Sequence, residues 1–477
     1  MGGFSEFDQF DALGLAELVR RKDVTPEELL DESIDRVERL NPQLNAVTHK
    51  HYDEARKQIA DGLPDGPFVG VPYLLKDLHL LLEGTATTSS SKLFEGNIAD
   101  HDSTLVERYK AAGLVLFGKT NTPEFGLTMT TEPAMYGPCR NPWNTDHSTG
   151  GSSGGAGAVV AARINPMANA SDGGGSIRIP AAACGVFGMK PTRARNPSGP
   201  DRGEGWNGCS VSHAVSLTVR DNAALLDATE GAAPGDLYAA PHRTRPFLQE
   251  VSADPGRLKI AFSTRTPAGT PLDADCALAV KKTAKLLEDL GHDVVEAWPD
   301  YDPAAIGQSL VTFIAAHCTT GLLLRAEALG RELTADDVEA QTWAFAEMSK
   351  MISSTDYARA QIAQQTESRK IGAFFDSYDA FIQPTLGMPP APLGWLDMNN
   401  ADMTDYITRV GEYSPFTSLY NITGNPSMSV PLHWTETGLP VGTMITGAFG
   451  DEATLFRLAG QLEKAEPWID KKPPLIG

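Results

Sequence analysis

Short apolar runs, separated by glycine and proline, alternate with segments of helical period along most of this chain. That alternation limits what the chain can fold into. Tyr73-Leu74-Leu75 reads as a strand ending at Lys76. Ser103 to Ala112 reads as a helix, Gly113 as its C′ stop and Leu114 to Phe117 as a buried strand. Further on, a strand over Leu258 to Phe262, a helix over Asp275 to Leu290 and a strand over Asp293 to Glu296 make a βαβ-like unit. Asp379 to Gln383 and Val441 to Thr446 are further strand candidates, and Asp451 to Glu463 is a closing helix. Strands alternating with helices in this way predict an α/β sheet covered on both faces. No internal repeat or long linker interrupts the 477 residues, so one large domain is expected.

The N-terminal part reads as packing, not chemistry. One helix is expected over Ala12 to Arg20. A second starts at an N-cap Thr25, with Pro26 at N1, Glu28 closing a capping box, and Val24 and Leu29 placed as a hydrophobic staple. Leu30, Ile34 and Val37 keep helical spacing, and Asn41-Pro42 is expected to end it. The opening MGGFSEFDQF has neither a basic n-region nor an apolar h-region, so no signal peptide is expected. Glu6 breaks the myristoylation pattern.

Acidic residues outnumber basic ones by 61 to 40, a formal charge of −21. Such a surface repels a phosphate backbone, so nucleic acid is a poor partner. Five scattered cysteines, with no C-x-x-C pair, point to a reducing, cytoplasmic setting without a disulfide framework or a zinc site. Pro303 to Leu324 carries no formal charge, but Gln308, Ser309, Thr312, His317, Thr319 and Thr320 interrupt it. A buried or pocket-lining helix is expected there, not a membrane span.

Two motifs mislead. Gly113-Leu-Val-Leu-Phe-Gly-Lys119-Thr120 matches the P-loop expression, but its middle residues look like a strand and Pro123 falls where a phosphate-binding helix should grow. A strand followed by a turn is expected. Gly150-Gly-Ser-Ser-Gly154 matches the nucleophile elbow of α/β-hydrolases, which needs an apolar strand running into the first glycine. A polar stretch, Arg140 to Thr149, precedes it instead. The histidines such a triad would draw on, His292, His317 and His433, sit in no recognisable setting and read as surface or core residues.

Three segments are unusual together. Lys76 ends an apolar strand in Gly70-Val-Pro-Tyr-Leu-Leu-Lys76-Asp77. Gly150-Gly-Ser152-Ser153-Gly-Gly155 stands ahead of the small-residue helix Ala158 to Ala162. Ser171-Asp172-Gly173-Gly174-Gly175-Ser176-Ile-Arg178-Ile-Pro-Ala181 places three glycines before a serine. Such glycines bare backbone N–H groups, as an oxyanion hole requires. A serine hydroxyl needs a base, and a lysine serves as one only when neutral, a state favoured by burial among Tyr73, Leu74 and Leu75.

With these blocks in this order and Ser152 and Ser176 lying 24 residues apart, the sequence resembles the amidase signature family. Asp102-Ser-Thr-Leu-Val-Glu-Arg, Gly118-Lys-Thr-Asn-Thr-Pro-Glu-Phe125, Arg140-Asn-Pro-Trp143, Cys184-Gly-Val-Phe-Gly-Met-Lys-Pro191, Asn421-Ile-Thr-Gly-Asn-Pro426 and Gly438-Leu-Pro-Val-Gly442 extend the likeness to about Leu13–Trp468. The resemblance implies an α/β fold of one large domain, with a mixed central β-sheet covered by helices on both faces. It implies a helical part over 1–64, a signature core over 65–235, a variable substrate-pocket region over 236–403 and C-terminal strands and helix over 404–477.

Position by position, Ser176 resembles the acyl nucleophile, Ser152 the bridging serine after a cis peptide bond, and Lys76 the base. The N–H groups of Gly173, Gly174, Gly175 and Ser176 resemble the oxyanion hole, and Ser153, Asp172 and Arg178 its supports. Gly173 departs from the family, where a larger residue is common, and is expected to loosen the oxyanion loop. Met129, Met135, Tyr136, Trp143 and Cys318 are candidate pocket walls. No cofactor and no metal is implied.

The implied activity is hydrolysis of carbon–nitrogen bonds in neutral amides, extending to carbamates and esters. The likeness is to bacterial members acting on cyclic nylon dimers, anilides and carbamates. A glutamine-hydrolysing amidotransferase subunit working with partner proteins is the alternative. A small-molecule amide or carbamate is the expected partner, with no nucleic acid and no membrane; a homodimer is compatible with the sequence.

Overall fold

A computed structural model describes residue 4 and residues 6–476. Positions 1–3 and 5, on which the reading of a chain start without a leader partly rests, lie outside the described residues. The second helix, Pro26–Leu44, begins as its sequence dictates. Thr25 Oγ1 accepts the Glu28 N–H at 3.2 Å and Glu28 Oε2 accepts the Thr25 N–H at 2.8 Å. It does not end at Asn41-Pro42 as expected, but runs through Pro42 to Leu44, and Asn45 closes it at φ 51. Pro42 deletes only the bond to the carbonyl of Glu38, a solvent-exposed position. The Asn41 side chain then ties the exit, accepting the N–H groups of Ala46 and Val47 at 2.7 and 2.8 Å.

The strands are β1 (Val47–Lys50), β2 (Pro72–Lys76), β3 (Val115–Thr120), β4 (Arg140–Asn141), β5 (Asn144–Ser148), β6 (Met167–Asp172), β7 (Phe187–Lys190), β8 (Val211–Ser216), β9 (Lys259–Phe262), β10 (Asp293–Glu296), β11 (Ala380–Pro384), β12 (Ser427–Trp434) and β13 (Pro440–Gly447). Eight of them form one mixed sheet in the order β10-β9-β11-β13-β12-β7-β8-β6. β9 pairs in parallel with both β10 and β11, with the helix Ala274–Asp289 crossing between β9 and β10 as the βαβ reading requires. The remaining pairings in this sheet are antiparallel. A smaller sheet, β1-β3-β2, stands beside it, and the Lys76 N–H at the end of β2 donates to Asn169 Oδ1 of β6 at 3.1 Å. The whole is one large α/β domain.

The P-loop-like segment is a strand. β3 is buried throughout, and Lys119 Nζ donates to the carbonyl of Ala86 at 2.6 Å. Gly118 is required for β1 to pair there, because a Cβ would lie 2.4 Å from the His49 carbonyl oxygen. The small-residue helix, Gly154–Ala161, is wholly buried. Its glycines permit close approach. A Cβ at Gly155 would fall 2.5 Å from the Asn121 nitrogen, and one at Gly157 2.9 Å from Cys184 Sγ. The charge-free stretch forms the helix Pro303–Ala328, apolar and long enough to span a membrane by composition. It packs Ile306, Phe313 and Leu322 into the core, while Leu310 and Ile314 line a cavity, as a pocket-lining helix should.

The closing helix Glu452–Ala465 is anchored by a buried ion pair. Glu452, fully buried, accepts from Arg195 Nε and Nη2 at 3.0 and 2.8 Å and from the Thr192 N–H at 2.9 Å. Glu452→Ala leaves the Arg195 guanidinium without this carboxylate. A loss of about 3–5 kcal/mol is expected, read as a lower midpoint in chemical denaturation. A midpoint equal to the parent's would show that Glu230 alone satisfies Arg195.

Candidate active site

Lys76 is placed by the pleat of β2. Side chains alternate along a strand, so Lys76 shares a face with Leu74, which packs into the core containing the Gly154–Ala161 helix. The lysine is wholly inaccessible to solvent. Its Nζ meets Ser152 Oγ at 2.7 Å and Ser171 Oγ at 3.0 Å, both neutral hydroxyls. Burial pushes the Lys76 pKa down to about 7, against a smaller upward pull from the Asp172 carboxylate. The amine is therefore available in its neutral form near neutral pH.

Ser152 follows a cis peptide bond from Gly151. Glycine is needed around it. A Cβ on Gly151 would lie 2.4 Å from the Thr130 carbonyl oxygen, and one on Gly126, at φ +68, 2.9 Å from Ser152 Oγ. Ser153 fixes the neighbouring chain: its Oγ donates to the Ser171 carbonyl and accepts the Ser171 N–H, both at 3.2 Å.

Ser176 stands at the end of the glycine turn that leaves β6. Asp172 organises this turn. Its carboxylate accepts the N–H groups of Gly175 at 2.7 Å and Ile177 at 3.2 Å, Arg178 Nε and Nη2 at 2.9 Å each, and Asn421 Nδ2 at 2.8 Å. Burial alone would raise the Asp172 pKa. The Arg178 guanidinium overrides this and holds the carboxyl well below the usual range. Arg178, equally buried, spends its other donors on the Thr417 carbonyl and Asn421 Oδ1. Thr417 Oγ1 donates to the Gly174 carbonyl at 2.5 Å.

The four-donor oxyanion set needs correction. The Gly175 N–H is committed to Asp172, which leaves Gly173, Gly174 and Ser176 with N–H groups that have no partner among the described residues. Gly173 does not loosen the turn either. Trp206 lies against it, so that a Cβ would fall 2.6 Å from the indole ring. The tryptophan occupies the volume that a side chain at position 173 would fill.

The chain matches the Amidase family over residues 28–456. It belongs to that family. It is 39% identical over 484 residues to the 6-aminohexanoate-cyclic-dimer hydrolase of Paenarthrobacter ureafaciens, covering 98% of this chain and 97% of the relative. The solved structure of a 6-aminohexanoate cyclic dimer hydrolase complexed with substrate superposes with a TM-score of 0.92 at 37% identity, covering 98% and 100% of the two chains. A bacterial aryl acylamidase of the amidase signature family gives 0.86 at 28% identity, covering 96% of each chain. The activity is hydrolysis of carbon–nitrogen bonds in linear or cyclic amides.

Two adjoining cavities lie at and beside Ser176. Ser176, Gly174 and Met129 line one of about 380 Å³, walled by residues such as Leu310, Phe345 and Met403. Cys318 and His317 line the neighbouring cavity of about 880 Å³. Met129 lines the first cavity and Cys318 the second, whereas Tyr136, Met135 and Trp143 line neither. The Tyr136 hydroxyl is bonded to Thr88 Oγ1 and His49 Nε2 at 3.0 and 3.3 Å, which holds the ring in another cluster. Trp143 Nε1 donates to the Cys184 carbonyl, and its ring packs on Trp434.

His292 and His433 are packing residues, held by Gln461 and Asp275. His317, read as surface or core, instead reaches the larger cavity and meets the Tyr357 hydroxyl at 2.9 Å. Sequence reasoning missed Ser171, Thr417, Asn421 and Trp206 as parts of the site. For Ser171 a signal existed: it shares a β6 face with Asn169, and both touch Lys76.

Gly173→Ala drives a methyl group into the indole of Trp206. An overpacking cost of about 1–3 kcal/mol is expected. It would appear as a lower thermal midpoint that Trp206→Ala in the same chain relieves. An unchanged midpoint in the single variant would contradict the contact.

Proposed function

We propose that this amidase hydrolyses neutral amides, and with them carbamates and esters, through an acyl-enzyme on Ser176. Support for this reading rests above all on Lys76: a wholly buried lysine, without a carboxylate in contact, whose amine lies 2.7 Å from Ser152 Oγ. Ser176 Oγ attacks the carbonyl carbon while its proton passes to Ser152 and the Ser152 proton passes to neutral Lys76. The N–H groups of Gly173, Gly174 and Ser176 receive the oxyanion. As the carbon–nitrogen bond breaks, the proton returns through Ser152 to the leaving nitrogen. Water then cleaves the ester by the same relay in reverse.

Among the described residues no hydrogen bond joins the Ser152 and Ser176 hydroxyls. The relay closes when substrate seats Ser176, as catalytic contacts commonly tighten in the complex. A neutral substrate is supported by the 380 Å³ cavity, whose lining contains no charged side chain. The cyclic dimer named for the 39%-identical relative is a substrate of this kind. A glutamine-hydrolysing role finds less support, because the 39%-identical relative is named for a cyclic amide.

Two measurements test the scheme. Protonated Lys76 cannot accept a proton, so kcat/KM for an uncharged anilide should rise as pH climbs through about 7. A profile that falls over that range would exclude Lys76 as the base. The second compares leaving groups. Ser152→Ala should lower kcat/KM for an alkyl amide by about 10–100-fold more than for a nitrophenyl ester, whose leaving group departs without a proton. Ser176→Ala should abolish both activities. Equal losses for Ser152→Ala would leave Ser152 a positional role only.

A further inference from the structure

Trp206 and Leu127 line both cavities, and the two cavities differ in chemistry. The chamber at Ser176 has no charged residue in its lining. The larger chamber is lined by His79, Arg202, Glu204, His317, Arg325 and Asp201. Several of these are already engaged: Asp201 by His101 at 3.2 Å, and Arg325 by the Leu93 carbonyl at 3.2 Å with its guanidinium over Phe94. Glu204 is turned toward Gly208, where a Cβ would lie 3.0 Å from its Oε2. Arg202 forms no hydrogen bond or ion pair among the described residues, and it is exposed into the cavity. The larger chamber thus presents hydrogen-bond donors without assigned acceptors.

The wall between the chambers is built, not incidental. Trp206 and Asn207 both hold left-handed φ angles, 51° and 53°, unfavourable for residues with side chains. The turn is closed by the Ser210 N–H on the Gly205 carbonyl and by the Cys209 N–H on the Trp206 carbonyl, at 3.1 Å each. The Asn207 side chain is clamped from the helix Ser354–Phe375, donating to Gln364 Oε1 at 2.6 Å and accepting from Gln361 Nε2 at 2.8 Å. The indole it supports lies against Gly173 of the turn that carries Ser176. A carbonyl seated at that turn therefore lies at the wall itself.

We infer that Trp206 is a specificity-determining partition, so that the preferred substrate is an amide with an apolar group on one side of the scissile bond and a hydrogen-bond-accepting polar end on the other. The apolar group occupies the uncharged chamber, and the polar end passes Trp206 and Leu127 to reach Arg202. This inference rests on Ser176 being the acylated residue.

The test uses secondary amides of equal length. One side is hexyl; the other is a short chain ending in methyl, carboxamide or carboxylate, and each compound is made in both orientations about the amide. In one orientation a polar-ended compound should exceed its methyl-ended counterpart in kcat/KM by about 10-fold or more, the scale that one mismatched pocket group carries. A carboxylate preferred over a carboxamide assigns the recognition to charge, and equal values assign it to hydrogen bonding. Arg202→Met should erase the preference mainly through KM. Trp206→Ala should erase it by merging the chambers, while Trp206→Phe, which keeps a wall, should retain it and so exclude misfolding as the cause. Preference for the methyl-ended compound in both orientations, or a polar preference that survives both Arg202→Met and Trp206→Ala, overturns the inference. Turnover by Ser176→Ala would instead overturn the acyl-enzyme reading, a different outcome of the same assay.

Discussion

A single buried carboxylate, that of Asp172, carries much of this active site. It ends β6, receives the Gly175 and Ile177 N–H groups, and pairs in fork geometry with Arg178. A glycine triplet left to itself would sample many backbone states. Here one carboxylate selects one of them and places Ser176 at its end. The pairing also spans the chain, since Asn421, some 250 residues on, donates to the same carboxylate and to the Asp172 carbonyl. An isolated buried charge would be prohibitive, so Arg178 and the ring of donors are a condition for the turn to exist.

Lys76 shows the opposite solution to the same problem. It is as buried as Asp172, yet the groups that meet its amine are hydroxyls. Without a counter-ion in contact, burial lowers the pKa instead of being offset by an ion pair. Two buried ionisable groups a few residues apart in space thus end in different charge states, one held charged by a guanidinium and the other brought toward neutrality by its absence. That difference separates a structural pair from a group able to take a proton.

Close backbone approach supplies the remaining precision. Gly126, Gly151, Gly155 and Gly157 each stand where a Cβ would meet another atom at 2.9 Å or less. The segments around Ser152 are therefore packed nearly to contact, which holds its hydroxyl against Lys76. Gly173 belongs to this set by another route, since an indole from a distant turn takes the space its side chain would have used. The glycine turn is thereby stiffened from outside, and the same indole lines both cavities.

Local rules carried the sequence reading as far as they reach. Capping at Thr25, the stop at Gly113, the strand ending at Lys76 and the serine after three glycines depend on neighbours a few residues away. Their chemistry is written in the residues themselves. The second helix runs past Asn41-Pro42 because a proline costs little where the residue whose bond it removes, Glu38, is solvent-exposed. Tyr136, Trp143 and His317 take positions that local sequence does not mark, because a ring's destination depends on partners far along the chain. Thr417 and Asn421 take up their roles only once 200 or more intervening residues are folded, and Trp206 only once its turn is packed back onto Gly173. The sequence alone determined which groups could do the chemistry, since the two serines and the lysine are fixed by residue type and by short-range backbone demands. Only the tertiary structure decided their charge states, which N–H groups remain free and how the substrate space is divided, because desolvation and packing are set by what the rest of the chain brings alongside.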